Sequence, residues 1–325
     1  MYPPFHPNFD RMDELSQQKV PFFFMIDFLM KNVEIFTENE INKNGLLVDF
    51  QYFKSFDSKE ENFKNIELKS FPESEESYRK GFDFVLENLR LGNSYLTNYT
   101  RKTEIETNLS LEEIFYRSEA KYKVLYKDQF VFFSPETFIK IIDNQINTQP
   151  MKGTIDASLE NAIEILKNDK KEKAEHYTVV DLLRNDLSQV ADDVKLDHFQ
   201  RIDFLKTQQK NLYAMSSDIS GRLKPEFQNK IGSIMKTLLP AGSILGAPKP
   251  KTLEIILKAE NYDRGFYTGV SGWFDGQNLD SCVMIRFIEK ENGKLFFKSG
   301  GGITHLSKFA DEYTEMQNKI YVPIH

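Results

Sequence analysis

Gln129-Phe-Val-Phe-Phe-Ser-Pro-Glu-Thr-Phe-Ile-Lys-Ile-Ile142 holds two short runs of strand-forming residues, 129–133 and 138–142, parted by Ser134-Pro135-Glu136. Proline cannot donate to a sheet ladder, so Pro135 is predicted to mark a turn. Upstream, Pro21-Phe-Phe-Phe-Met-Ile-Asp-Phe28 is a continuous apolar run suited to a buried strand, and Ser94-Tyr-Leu-Thr-Asn-Tyr-Thr100 is rich in β-formers. Residues 57–79 are polar and read as a loop plus a helix start. Residues 78–91 place Phe82, Val85, Leu86 and Leu89 at helical spacing, with Gly92 as the stop. Downstream, helices are predicted over 161–167 and 174–187, the second with an apolar stripe of Val179, Val180, Leu183 and Leu187. Two more, 231–238 and 252–259, are separated by Pro240-Ala-Gly-Ser-Ile-Leu-Gly-Ala-Pro248. Strands follow over 267–274, 281–288 and 294–298, then Gly300-Gly-Gly302 and a last helix over 310–321. Strands and helices fall partly in blocks with hairpin-like strand neighbours, which favours antiparallel α+β over a doubly wound sheet. No composition break divides the chain, so residues 1–325 read as one domain.

Bulk properties bound the function. The 325 residues are 40% hydrophobic and 28% charged, an ordinary globular composition, and 28 phenylalanines predict an aromatic-rich core. A net charge of -7 lacks the basic face that phosphate binding needs, which argues against a nucleic-acid partner. The single cysteine, Cys282, permits no internal disulfide and fits a reducing cytoplasm. The N-terminus has neither the basic start nor the apolar run of a signal peptide, and no stretch approaches the ~18 apolar residues of a membrane span. The expectation is a soluble cytoplasmic protein.

Three constellations could carry chemistry. Gly300-Gly301-Gly302, read as lying between a strand and a helix, is either a plain turn or a concavity of amides suited to a carboxylate. Glu312, Glu315 and Lys319, spaced by three and four, share one helix face. That face is either solvated or a holder for a hard cation such as Mg²⁺, which prefers oxygen ligands. Glu172 and Glu175 stand three apart near a helix start, where the macrodipole alone favours carboxylates. His176 beside them is either a ligand or an ordinary hydrogen-bonded residue, and Asp181-Leu-Leu-Arg-Asn-Asp186 reads as an internal charge network. Gly242-Ser-Ile-Leu-Gly-Ala-Pro-Lys249 has a phosphate-loop flavour but lacks the Gly-Lys-Ser/Thr ending. Spacing alone stops at an anion and magnesium site.

In order along the chain, Ser94-Tyr-Leu-Thr-Asn-Tyr-Thr, Phe133-Ser-Pro-Glu-Thr-Phe, Gln149-Pro-Met-Lys-Gly-Thr and Ala174-Glu-His-Tyr-Thr-Val-Val-Asp-Leu-Leu-Arg-Asn-Asp-Leu resemble motifs of the chorismate-binding enzymes. Pro240-Ala-Gly-Ser-Ile-Leu-Gly-Ala-Pro-Lys, Arg264-Gly-Phe-Tyr-Thr-Gly, Ile285-Arg-Phe, Gly300-Gly-Gly-Ile-Thr and Glu312-Tyr-Thr-Glu-Met-Gln-Asn-Lys complete the series. They cover about residues 90–320, with 1–90 a short N-terminal part of the fold. The resemblance implies two facing β-sheets with helices outside. It implies that Glu175 and Glu315 bind Mg²⁺, with Glu172 and Glu312 as water-mediated partners, and that the ion meets the ring carboxylate of chorismate. Arg286, Lys319 and the Gly301 and Gly302 amides are implied to hold the two substrate carboxylates. Tyr267 and Thr268 line the same pocket, with Gly153 and Thr154 among the substrate-binding residues. Glu136 is implied as the general acid for departure of the C4 hydroxyl.

Lys152 sorts the subfamilies. Anthranilate synthases usually carry Ala there, in Pro-Ile-Ala-Gly-Thr, whereas the lysine form resembles aminodeoxychorismate synthases. In that pattern the amine attacks ring C2 as the C4 hydroxyl leaves, and ammonia then adds at C4 and expels the lysine. The amine must be neutral, against an ordinary pKa of about 10.4; burial and nearby cations would lower it. Leu96 stands where many relatives have Gln. Ala214-Met-Ser-Ser217 stands where anthranilate synthases have His-Leu-Val-Ser, so pyruvate elimination is poorly provided for. No Leu-Leu-Glu-Ser element is present, so tryptophan inhibition is not expected. No glutaminase nucleophile elbow surrounds Cys282, so the ammonia is expected from a separate glutamine amidotransferase subunit or from free ammonium. The rivals are an anthranilate or isochorismate synthase, and a degenerate partner-binding subunit.

Overall fold

The computed structural model describes residues 5–57, 66–205 and 211–323, without the side chains of Asn42, Lys152 and Leu205. Among the described residues there are two nine-stranded sheets in which every pairing is antiparallel. The α+β expectation therefore holds. The run starting at Pro21 becomes the fully buried strand Phe22–Ile26. Phe22, Phe24 and Ile26 enter one core with Val179, Leu183 and Met235 from helices. Phe23 and Met25, on the alternate face, join Val124, Phe132 and Phe287 from the other sheet. That second sheet repeats the arrangement. Phe130 and Phe132 point into the space between the sheets, while Val131 and Phe133 pack on Ile114 and Phe115 of the helix Leu111–Arg117. Strands covered on both faces read as continuous apolar runs, and each buried Phe contributes about 1.5–3 kcal/mol. No helix among the described residues is long and apolar enough to cross a membrane.

Pro135 does not close a hairpin. Phe130–Ser134 lies in one sheet and Thr137–Ile142 in the other, so Ser134-Pro135-Glu136 carries the chain between sheets. The run 281–288, predicted as one strand, is likewise two, Leu279–Val283 and Phe287–Glu291, one in each sheet. They break at Arg286, whose φ is +52°. Hydropathy gave no sign of either switch because both sheets bury these residues. The two crossings bond to each other: Val283 N donates to Glu136 O at 3.1 Å, and Phe133 N to Arg286 O at 3.2 Å. The strand predicted over 267–274 begins only at Val270, because Thr268 adopts φ +62°.

Gly300–Gly302 sit inside the ten-residue strand Lys294–Ile303, paired with Thr100, Tyr99 and Asn98, rather than in a connection after it. None has a positive φ, so their amides belong to an extended ladder and not to a curled concavity. The helix predicted from 174 starts earlier, as Lys170–Val190, because Asp169 caps it by accepting from Glu172 N at 2.9 Å. The last helix is Phe309–Asn318, ending just before Lys319. The sequence reading did not place the helix Asn8–Gln17 or the long strands Ala191–Leu205 and Leu212–Leu223. The first of those strands is largely exposed, so it lacks the alternation that marks a half-buried strand.

Candidate active site

Two helices and one strand build an acidic cluster. Glu172 and Glu175 come from the first turns of Lys170–Val190, and Glu312 and Glu315 from Phe309–Asn318. A Cβ at Gly302 would lie 2.5 Å from Glu175 Oε1, and one at Gly301 would lie 3.2 Å from Glu315 Oε1 and 3.6 Å from Glu312 Oε2. The missing side chains thus let three carboxylates close on the strand backbone. Gly153, at φ +75°, does the same for Glu172, whose Oε2 lies 3.0 Å from its Cβ position. Gly302→Ala is expected to push Glu175 aside and lower turnover at this site at least ~10-fold; a thermal melt within about 2 °C of wild type would show that the loss is local.

Lysines answer these charges. Lys171 Nζ is 2.7 Å from Glu312 Oε1 and 3.9 Å from Glu315 Oε2, and Lys319 Nζ is 2.7 Å from Glu315 Oε1. Lys319 also donates to Gly300 O at 2.8 Å, fixing it over the strand. Burial and the neighbouring Glu175 push the Glu172 carboxyl up to about 7, with Lys171 opposing. Burial likewise raises Glu312 against the pull of Lys171. Burial alone would lower the Lys171 ammonium, but the Glu312 carboxylate beside it carries it well above the usual lysine value. Among the described side chains, four carboxyl groups face two ammonium groups. Their oxygens suit a hard divalent cation in kind. Among the described residues no three acidic, histidine or cysteine side chains yet converge as a closed ligand set. His176 is not turned to this cluster: its Nε2 is 2.7 Å from Ser217 Oγ, tying the helix to the strand Leu212–Leu223. Of the Asp181–Asp186 run, Asp186 is buried and pairs with Lys249 at 2.7 Å, whereas Asp181 and Arg184 are exposed, so no internal network forms there.

A second group gathers at the sheet crossings. Glu136 Oε1 accepts from Ser243 Oγ at 2.5 Å, so the Gly242–Ile244 turn of the loop that resembled a phosphate cradle serves a carboxyl instead. Sequence reasoning missed Ser243; only its place as the second residue of that loop could have signalled it. Glu136 opens on a cavity of about 130 Å³ shared with Lys121, Thr137, Met151, Arg201 and Ser216. Thr268 Oγ1 donates to Tyr267 O at 2.6 Å and accepts from Arg264 at 3.1 Å. Tyr267 is buried, which raises its phenol against the pull of the Arg264 charge. The Arg286 guanidinium lies 5.0 Å over the Tyr321 ring, two residues beyond Lys319. A positive φ at a β-branched Thr268 and at Arg286 is strain of the kind that concentrates at functional sites.

The strand Met151–Asp156 runs between the two groups. Its ladder to the strand Leu212–Leu223 is broken by a bulge between Lys152 and Thr154, with Lys152 opposite Met215 and Thr154 opposite Ala214. Met151 lines the Glu136 cavity and Gly153 abuts Glu172, so the Lys152 α-carbon lies between them. The Lys152 side chain itself is outside the described residues.

A chain with these motifs and this pair of sheets has relatives. An uncharacterized PabA-like protein of Pasteurella multocida is 47% identical over 320 residues, 98% of this chain and 99% of its own length. Aminodeoxychorismate synthase component 1 of Escherichia coli is 27% identical over 96% of this chain and 72% of its own. Anthranilate synthase component 1 of Saccharomyces cerevisiae is 33% identical, over 59% of this chain and 39% of its own. Among solved structures, the menaquinone-specific isochorismate synthase of Escherichia coli superposes with a TM-score of 0.73 at 14% identity, covering 96% of this chain and 79% of that one. That likeness shows the shared fold. The sequence model for chorismate binding enzymes matches residues 24–325, a span holding every site residue described above. The chain therefore belongs to the chorismate-binding enzyme family.

Proposed function

We propose that this enzyme acts as an aminodeoxychorismate synthase component I, forming 4-amino-4-deoxychorismate from chorismate and ammonia for p-aminobenzoate and folate synthesis. The observation that carries the reading is Lys152 on a bulged strand, between the Glu136 cavity and the acidic cluster. Glu175 and Glu315, with Glu172 and Glu312 through water, would hold a magnesium ion that neutralises the ring carboxylate of chorismate. Arg286 and Lys319 would bind the carboxylates, and Thr268, Tyr267, Gly153, Thr154 and the Gly301–Gly302 backbone would shape the surrounding pocket.

In the first step the neutral Lys152 amine forms a bond to ring C2 while the C4–O bond breaks. Glu136 gives its proton to the departing hydroxyl, which leaves as water. Ammonia then bonds to C4 as the C2–N bond breaks, and the lysine amine is regenerated. Ser243 donates to one oxygen of Glu136 and so leaves the other to carry the transferred proton. The ammonia would come from a separate glutamine amidotransferase subunit or from free ammonium. The buried, lone Cys282 fits an enzyme of the reducing cytoplasm. Incubation with chorismate, Mg²⁺ and ammonium, with products identified by mass and fluorescence, tests the proposal. Anthranilate or isochorismate as the product would overturn it, and binding without turnover would point to a degenerate subunit.

A further inference from the structure

One of the lysines that meet the acidic cluster, Lys171, has no part in the reaction above. Lys171 stands in the first turn of Lys170–Val190, one residue before Glu172 and four before Glu175. Its ammonium crosses to the other acid-bearing helix, 2.7 Å from Glu312 and 3.9 Å from Glu315. Glu312 is almost wholly enclosed, its side chain 1% exposed, while Lys171 keeps 25% of its side chain exposed. A cation held by Glu175 and Glu315 would share Glu315 with this ammonium. Two positive charges close together in a partly buried site repel far more strongly than in bulk water.

We propose that Lys171 is an internal counter-cation that competes with the divalent ion for the Glu312–Glu315 carboxylates and so keeps the site's affinity for that ion low. The competition is relieved by an anion. When a substrate carboxylate joins the cluster it adds negative charge, and the divalent ion is then held beside Lys171 rather than excluded by it. Divalent ion and carboxylate substrate consequently bind with positive coupling, each raising the affinity for the other by the same factor. The inference rests on the reading of Glu175 and Glu315 as metal ligands.

The test is a Mn²⁺ titration of the full chain followed by electron paramagnetic resonance, with and without chorismate. Lys171→Met is expected to bind Mn²⁺ at least ~10-fold more tightly than wild type without chorismate, and to show a smaller gain when chorismate is added. Lys171→Gln should behave like Lys171→Met, and Lys171→Arg, which keeps the charge, should stay near wild type; circular dichroism confirms the fold of each. Unchanged or weaker binding in both neutral variants, beside a wild type that binds, overturns the competition alone. Failure of the wild type to bind Mn²⁺ even with chorismate overturns the metal-site reading and this inference together.

Discussion

Lys152→Ala is expected to lower 4-amino-4-deoxychorismate formation by on the order of 10⁴-fold or more while chorismate binding stays within a few-fold of wild type. On the proposed mechanism Lys152 is the covalent nucleophile, and removing it deletes a pathway rather than weakening a contact, so the loss would fall on kcat and leave KM little changed. Lys152→Arg should fare no better, because a guanidinium does not deprotonate in the usable pH range. On the proposed mechanism the amine must be neutral, and a magnesium ion held at Glu175 and Glu315 would favour that form. Product formation by rapid quench, with chorismate binding followed separately, checks the result. Near-wild-type amination by Lys152→Ala would remove the covalent step from the mechanism.

The largest expected effect on stability lies in the scaffold directly behind the pocket. Glu260 and Arg264 are 3% and 2% exposed and paired at 2.6 Å. Arg264 also donates to the carbonyls of Ile244 and Asn98 and to Thr268 Oγ1, while Thr100 donates to Glu260 through both its backbone N and its hydroxyl. One ion pair thus fastens the loop that carries Ser243, the strand facing Gly302 and the strained Thr268. Burial alone would lower the Arg264 guanidinium, but Glu260 raises it, so it stays charged in the interior. Glu260→Ala strands that charge and is expected to cost about 3–5 kcal/mol, read as a fall in the urea midpoint. The double variant Glu260→Leu/Arg264→Met should recover most of that loss, since it leaves no unpaired charge. A double variant as unstable as the single one would show that the hydrogen bonds, not the charge pair, dominate.

Much of this site is legible before folding. The three-residue spacings of Glu172 and Glu175 and of Glu312 and Glu315 put each pair on one helix face, and the structure turns Glu175, Glu312 and Glu315 toward the glycine strand and Glu172 toward Gly153. Lys319 falls where its spacing from Glu315 places it. Other features carry no local signal. Ser243 and Glu136 are 107 positions apart and meet only because a loop packs against a sheet crossing. Lys171 looks like one more charge in Lys170-Lys-Glu-Lys173, and its partner Glu312 belongs to a helix far along the chain. The glycine run was visible but misplaced: three glycines resemble a turn, yet here they lie in a strand that must let carboxylates approach.

The sequence by itself determined the class of fold, the antiparallel character of the sheets, the helix faces and the motif order that marks a chorismate-binding enzyme. Periodicity and residue type are properties of neighbours along the chain, and those survive without knowledge of the packing. Only the tertiary structure decided that the chain leaves one sheet for the other at Pro135 and Arg286, because the strands on either side of each switch are buried alike and a break in the strand does not say which sheet follows. It also decided which cations meet which carboxylates, since ion pairing depends on distance and enclosure, and neither is written in spacing.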